Sequence, residues 1–314
     1  MLSEEQMAVL IFLSAIAAVY VFAAGSLVRI YIARTDKSAP RSGKFEIWFR
    51  RMIFGLAITG ILCFAYGYFI EPYRLTIRNV ELRTDKLPPN SPPIRIAHIS
   101  DIHSDPIPRL EEKLPDAIAE QHPDLIVFTG DSLNSPEGLP VFRACLSKIS
   151  KIAPTFVVKG NWDAWYWSDQ DLFSNIDVKE LDATTEKVVV RGTEIWLAGV
   201  PVGKEGKVKQ TLEQLPKDKF SIFLYHYPDE IENVTPHGID LYCAGHTHGG
   251  QIALPFYGAL ITLSKYGKRF EGGTYRVVDT WLNVNRGIGM EGGPAPRVRF
   301  WAPPEITVID VLPN

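Results

Sequence analysis

The chain has 314 residues, 22% of them charged and 46% apolar, with a formal net charge of −3. That length suits one large domain plus an accessory segment, and the balance of charge gives no basic surface for nucleic acid. Cys63, Cys145 and Cys243 are widely spaced, with neither a metal-finger pattern nor a disulfide framework, so they do not report a compartment.

In chain order, the first elements are two apolar runs. Residues 7–28 and 52–70 hold no charged side chain across 22 and 19 positions. Roughly 20 apolar residues cross a bilayer core of about 30 Å as a helix, so two transmembrane helices are expected. A signal peptide followed by a core helix fits less well, because Glu4 and Glu5 stand where a basic leader belongs. Arg29, Arg34, Lys37, Arg41, Lys44, Arg50 and Arg51 lie between the runs, and no Lys or Arg precedes the first. The positive-inside bias then puts the short connection in the cytoplasm and both chain ends outside. Arg74, Arg78, Arg83 and Lys86 after the second run pull the other way. Trp48, Tyr66, Tyr68 and Tyr73 suit either interfacial anchoring or packing. The expected division is a membrane segment over residues 1–70 and a folded domain over 71–314. Residues 86–93, rich in proline, read as a loop leading into the first core strand.

Within that domain, short polar motifs follow strand-like apolar runs. Asp101-Ile102-His103 follows Ile94–Ile99, Gly130-Asp131 follows Leu125–Phe128, and Gly160-Asn161 follows residues 156–158. His226 comes after residues 222–224, and Gly245-His246-Thr247-His248-Gly249-Gly250 after Leu241–Ala244. Such runs read as buried strands, and ligand sites of α/β sheets gather at the carboxyl ends of strands. Carboxylates and imidazoles on neighbouring strand ends suit two divalent ions sharing a carboxylate. His246 and His248 are expected on one face of an extended segment. Residues 251–254 are expected to start the next strand, and residues 305–312 to close a sheet. His98 alternates with its strand and is expected in the core; His122 and His237 carry no assigned role.

The order of these motifs resembles the calcineurin-like metallophosphoesterase superfamily, in its bacterial membrane-associated branch with a Gly-His-Thr-His-Gly-Gly-Gln ending. The resemblance runs over residues 71–311. It includes Glu71-Pro72, Pro123-Asp124-Leu125-Ile126, Tyr227-Pro228-Asp229 and Asn285-Arg286-Gly287-Ile288-Gly289. It implies an α/β fold, a four-layer αββα sandwich with the site at one edge, here preceded by the two membrane helices. It also implies that Asp101, His103 and His248 hold one metal, that Asn161, His226 and His246 hold the other, and that Asp131 bridges both. The mixed nitrogen and oxygen set favours Mn, Fe or Zn over Ca or Mg. Two such ions lower the pKa of a water between them and make it a nucleophile towards phosphorus.

One position departs from the family. The usual Gly-Asn-His is here Gly160-Asn161-Trp162-Asp163, so the histidine that helps the leaving group depart is replaced by Trp162. An indole N–H has no useful acidity. The substrate then carries a good leaving group, or another residue such as Asp163 replaces the histidine, or the chain binds without turnover. Trp162, Trp165, Tyr166 and Trp167 form an aromatic cluster suited to stacking on substrate or resting on lipid, or to plain packing. Arg286 is a candidate phosphate contact, with a structural role the alternative.

The function expected is that of a membrane-anchored dinuclear phosphoesterase acting on a phosphodiester or pyrophosphate bond of a lipid or envelope substrate, its domain outside the cytoplasm. Two alternatives stand beside it: a UDP-diacylglucosamine pyrophosphatase at the cytoplasmic face, which needs the opposite topology, and a catalytically weak metal-binding sensor. The membrane and a phosphate-bearing substrate are the partners implied; no nucleic acid and no protein partner is.

Overall fold

The computed structural model describes residues 3–36, 38, 40, 42–291 and 297–314. Lys37 and Arg41 of the basic connection lie outside the described residues. The chain divides into two compact units, Met1–Ile70 and Glu71–Asn314.

The first unit is a helical hairpin. Glu4–Thr35 starts at a capping box in which Ser3 and Gln6 exchange hydrogen bonds, satisfying orphan N–H groups. Lys44–Phe69 returns alongside it. Phe22 meets Phe49 edge-on at 5.9 Å, and Arg29 reaches Glu46 at 3.3 Å. The Tyr20 hydroxyl donates to the Ala57 carbonyl at 3.2 Å. These contacts bury only Ala23, Ile53, Ala57 and Gly67 within the two helices. Side chains such as Ile11, Val21, Leu62 and Phe64 stay more than half exposed. Both helices are long and apolar enough to cross a membrane, and they support association with one.

Among the described residues, the second unit is built on fourteen strands. In chain order they are Thr76–Thr84 (β1), Ile94–Ile99 (β2), Leu125–Phe128 (β3), Thr155–Val157 (β4), Lys179–Glu180 (β5), Thr184–Val190 (β6) and Thr193–Gly199 (β7). There follow Phe220–Leu224 (β8), Leu241–Ala244 (β9), Ala253–Leu254 (β10), Gly258–Ala259 (β11), Gly273–Val277 (β12), Thr280–Val284 (β13) and Glu305–Pro313 (β14). One sheet has the order β1-β14-β2-β3-β4-β5 and the other β12-β13-β9-β8-β7-β6, while β10 and β11 form a separate hairpin.

Alternation along β2 shows how the layers form. Ile94 and Ile96 point between the sheets, where they meet Leu125, Leu224, Leu241 and Ile309. Ala97 and Ile99 point the other way, onto Leu114, Ile118, Phe142 and Leu146 of the helices Leu114–Ala119 and Leu139–Ile149. On the second sheet Phe223 and Tyr242 meet Val208, Leu212, Ile231 and Val234 of two short helices. The result is a helix–sheet–sheet–helix sandwich. Strands covered on both faces read as continuous apolar runs, which is why their sequences were legible.

His98 is buried between the sheets, where loss of water pushes its pKa down to about 3. Its Nδ1 accepts from Asn283 of β13 at 2.7 Å, leaving Nε2–H to donate to Thr129 at 3.0 Å. It ties the two sheets together as a neutral residue.

The strand expected over residues 305–312 forms as β14, which lies inside one sheet, parallel to β1 and antiparallel to β2. Two local expectations are corrected. The strand expected from residue 251 begins only at Ala253, because Gln251 sits at φ 54° and cannot extend. His246 and His248 are not on one extended face, since their φ values are 70° and 51° and a short helical turn begins at His248.

Candidate metal centre

The polar motifs occupy the loops leaving β2, β3, β4, β8 and β9. Within each sheet these strands run parallel, so their carboxyl ends emerge together. Asp101, His103, Asp131, His246 and His248 all have positive φ, between 44° and 70°. This backbone costs a non-glycine residue roughly 1–2 kcal/mol, and such strain gathers where side chains must be aimed. Two glycines let the loops close on one another. A Cβ on Gly160 would lie 2.2 Å from Asp131 Oδ1, and one on Gly245 would lie 2.3 Å from Asp101 Oδ2.

The side chains converge on two clusters able to hold a metal ion, Asp101 with His103 and His248, and Asp101 with Asp131 and His226. His226 Nε2 lies 3.2 Å from Asp131 Oδ2 and 3.8 Å from Asp101 Oδ1. His103 Nε2 is 3.6 Å from Asp131 Oδ2, and His248 Nε2 is 3.4 Å from Asp101 Oδ1. Asp131 therefore faces imidazoles of both clusters, and Asp101 belongs to both. His226 Nδ1–H donates to the Thr129 carbonyl at 2.7 Å, which orients the ring and turns Nε2 to the site. His246 stands outside the two clusters: its ring packs 5.2 Å from that of His226, and Nε2 is 3.3 Å from the Leu263 carbonyl. Asn161 opens a short helix beside Asp131, with Oδ1 buried and unpartnered.

The residues fit a pair of cations. Among the described residues, His103 Nδ1 and Nε2, Asn161 Oδ1 and His226 Nε2 are buried without a hydrogen-bond partner. Buried polar atoms are ordinarily paired, and a bound cation is what such lone pairs would serve. The electrostatics agree. Burial pushes His103 down to about 4 and His246 to about 3, and His248 well below its ordinary value. These imidazoles are neutral, the state that ligates. Burial raises Asp101 to about 7, with Asp131 adding to the effect. Burial also opposes charge on His226, yet Asp131 and Asp101 outweigh it and hold the ring up at about 9.

Asp163 is not aimed at substrate. It is fully buried, accepting the backbone N–H of Asp131 at 2.9 Å, of Ser132 at 2.9 Å and of Gly160 at 3.0 Å. It braces the two loops that carry Asp131 and Asn161. Asp163→Asn would turn an amide NH2 against backbone donors, leaving buried groups unpaired at about 1–3 kcal/mol each. A thermal midpoint lowered by several degrees is the expected result. Normal melting with selective loss of poor leaving groups would instead make Asp163 a proton donor.

Trp162 is half-buried, its ring edge-on to His103 at 5.2 Å and its backbone N–H on Asp131 Oδ1 at 2.8 Å. Its indole also meets the Glu291 carboxyl, which burial raises above the ordinary range. The aromatic cluster splits by role: Trp167 donates to the Leu133 carbonyl at 3.0 Å and packs in the core, while Trp165 and Tyr166 are exposed. Arg286 lies beyond Gly249, its Nε 3.9 Å from Glu305.

Glu291 and Arg299 are site residues that the sequence did not single out, while Asp163, named there as a candidate acid, turns out to be a brace. The buried Arg299 guanidinium donates to the carbonyls of Gly289, Ala302 and Arg286, pinning that loop next to His248. Only position marks Arg299, since nothing distinguishes an arginine beside Arg297 from a solvated one.

The family model for calcineurin-like phosphoesterases matches residues 94–250, half of the chain. An uncharacterized metallophosphoesterase of Bacillus subtilis, YkuE, is 33% identical over 280 residues, covering 83% of this chain and 95% of that protein. The chain belongs to the calcineurin-like metallophosphoesterases and is a metal-dependent phosphoesterase with a dinuclear site. The phosphodiesterase YaeI of Escherichia coli is 26% identical, with 79% of this chain and 93% of that protein covered. A transmembrane protein with a metallophosphoesterase domain from Danio rerio is 27% identical, over 88% of this chain and 65% of that protein.

Proposed function

We propose that the chain is a membrane-anchored phosphodiesterase of the bacterial branch, with residues 1–70 as a two-helix anchor and 71–314 as the catalytic domain. The observation that carries the reading is the meeting of Asp101, Asp131 and three imidazoles at one edge of the sandwich. In this reading Asp101, His103 and His248 serve one ion, Asn161, His226 and His246 serve the other, and Asp131 serves both. The donor set suits Mn, Fe or Zn. Bound ions supply Lewis acidity at the phosphoryl oxygens and an activated water. The protein's own groups fix the arrangement: the Thr129 carbonyl orients His226, and the Trp162 N–H orients Asp131. Phosphodiester cleavage is supported by the named activity of the Escherichia coli relative.

Anchoring is supported by the largely uncovered helices and by the name of the Danio rerio relative. The basic connection between them favours a catalytic domain outside the cytoplasm, acting on a lipid or envelope substrate near the bilayer. A C-terminal alkaline phosphatase fusion is expected to be active, and a cytoplasmic reporter fusion dark. The reverse pattern would put the domain inside and favour pyrophosphate cleavage in a nucleotide-linked lipid such as UDP-diacylglucosamine, whose good leaving group suits Trp162.

A further inference from the structure

Beyond Gly249, one residue after His248, lies a cavity of about 300 Å³ that the centre described above does not use. Its floor is Gly249, Gly272 and the Arg286 side chain, and its walls are the β10–β11 hairpin and Trp301. The Arg286 stem threads between the glycines: a Cβ on Gly249 would lie 3.2 Å from it, and one on Gly272 3.3 Å. At 3.9 Å the Glu305 contact is too long for a hydrogen bond, so Arg286 keeps donors for a ligand.

The aromatic side chains along the walls are uncovered. Phe256 is fully exposed at the hairpin tip, Trp301 is 61% exposed and Tyr257 46%. Phe256 and Trp301 have φ of 65° and 61°, an outlier for bulky residues that needs a reason. The hairpin is nonetheless held in place. Lys268 lies 3.4 Å from the Tyr257 ring centroid and donates to its carbonyl, and Glu271 accepts from Ala259 N–H at 2.9 Å. Three exposed aromatics around one cavity mouth mark a ligand surface. The remaining wall, Ala253 and Leu254, is aliphatic. Glu271 is engaged by the hairpin, so Arg286 is the charged side chain left to meet the polar part of a ligand.

We infer that this groove is the alkyl- or acyl-chain subsite of an amphiphilic phosphodiester. The reacting phosphate sits at the metal clusters, the polar link passes Arg286, and the apolar chain lies on Phe256, Tyr257 and Trp301. The inference rests on the phosphodiesterase reading and names the substrate class for it.

The test uses the full chain in zwitterionic nanodiscs with Mn2+. It compares octyl and methyl 4-nitrophenyl phosphodiesters, which share a leaving group. The readout is the ratio of kcat/KM, octyl over methyl. Phe256→Ser and Trp301→Ser are expected to lower that ratio about tenfold, the scale of roughly two methylene groups losing their apolar contact. Both residues are exposed, so melting curves are expected to match wild type. An unchanged ratio in both variants overturns the subsite. Should wild type hydrolyse neither ester, the phosphodiesterase reading fails, and calorimetry decides the groove separately. In that arm metal-free protein is titrated with octyl methylphosphonate below its micellar concentration. Weaker binding in the variants upholds the subsite, and equal binding overturns it.

Discussion

Asp131→Asn is expected to lose most bound metal and, with it, about 100-fold or more of the hydrolysis of an activated aryl phosphodiester. Residues that merely orient a ligand commonly cost 10–100-fold when removed, and Asp131 does more. Its Oδ2 lies 3.2 Å from His226 Nε2 and 3.6 Å from His103 Nε2, one imidazole from each cluster. Asparagine removes a full negative charge while keeping an oxygen for the Trp162 N–H, which sits 2.8 Å from Oδ1. The loops therefore keep their brace, and circular dichroism is expected to be unchanged. His248→Ala is a contrast, since His248 belongs to one cluster alone and its loss should cost one ion preferentially. Elemental analysis counts the ions. Full occupancy in Asp131→Asn would sink the placement of Asp131 between two metals.

Much of this centre was readable in the sequence because each ligand loop follows a strand buried on both faces. Runs such as Leu125–Phe128 and Leu241–Ala244 are wholly buried, so they carry no polar interruption until the strand ends and the chemistry begins. What stayed hidden depends on backbone angles and on distant partners. Nothing in Gly-His-Thr-His announces that both histidines adopt left-handed φ and that only His248 joins a cluster. Asp163 looked available as an acid beside Trp162, yet three backbone N–H groups consume it, two of them 31 and 32 residues away in sequence. Asp101 emerges as a member of both clusters, a sharing that motif order does not encode. β14 pairs with strands more than 200 positions earlier, which local alternation cannot locate.

The leaving group is expected to control the rate of the wild-type enzyme. Trp162 stands where the family's histidine would protonate a departing alkoxide, and an indole N–H does not give up its proton. General acid catalysis ordinarily supplies roughly 10²–10⁴-fold, and poor leaving groups draw on it most. Aryl diesters and pyrophosphates should therefore react well and alkyl diesters slowly, with a steep dependence on leaving-group pKa across one series. Trp162→His should accelerate the alkyl members more than the aryl ones and flatten that dependence. Space exists for the change, since the ring is half-buried and touches His103 only edge-on. A flat wild-type profile would mean that a proton donor is already present. Suspicion would then fall on Glu291, whose carboxyl meets the Trp162 indole and is raised by burial above the ordinary carboxylate range. Glu291→Gln would in that event steepen the profile, sparing the aryl esters whose leaving groups need no acid.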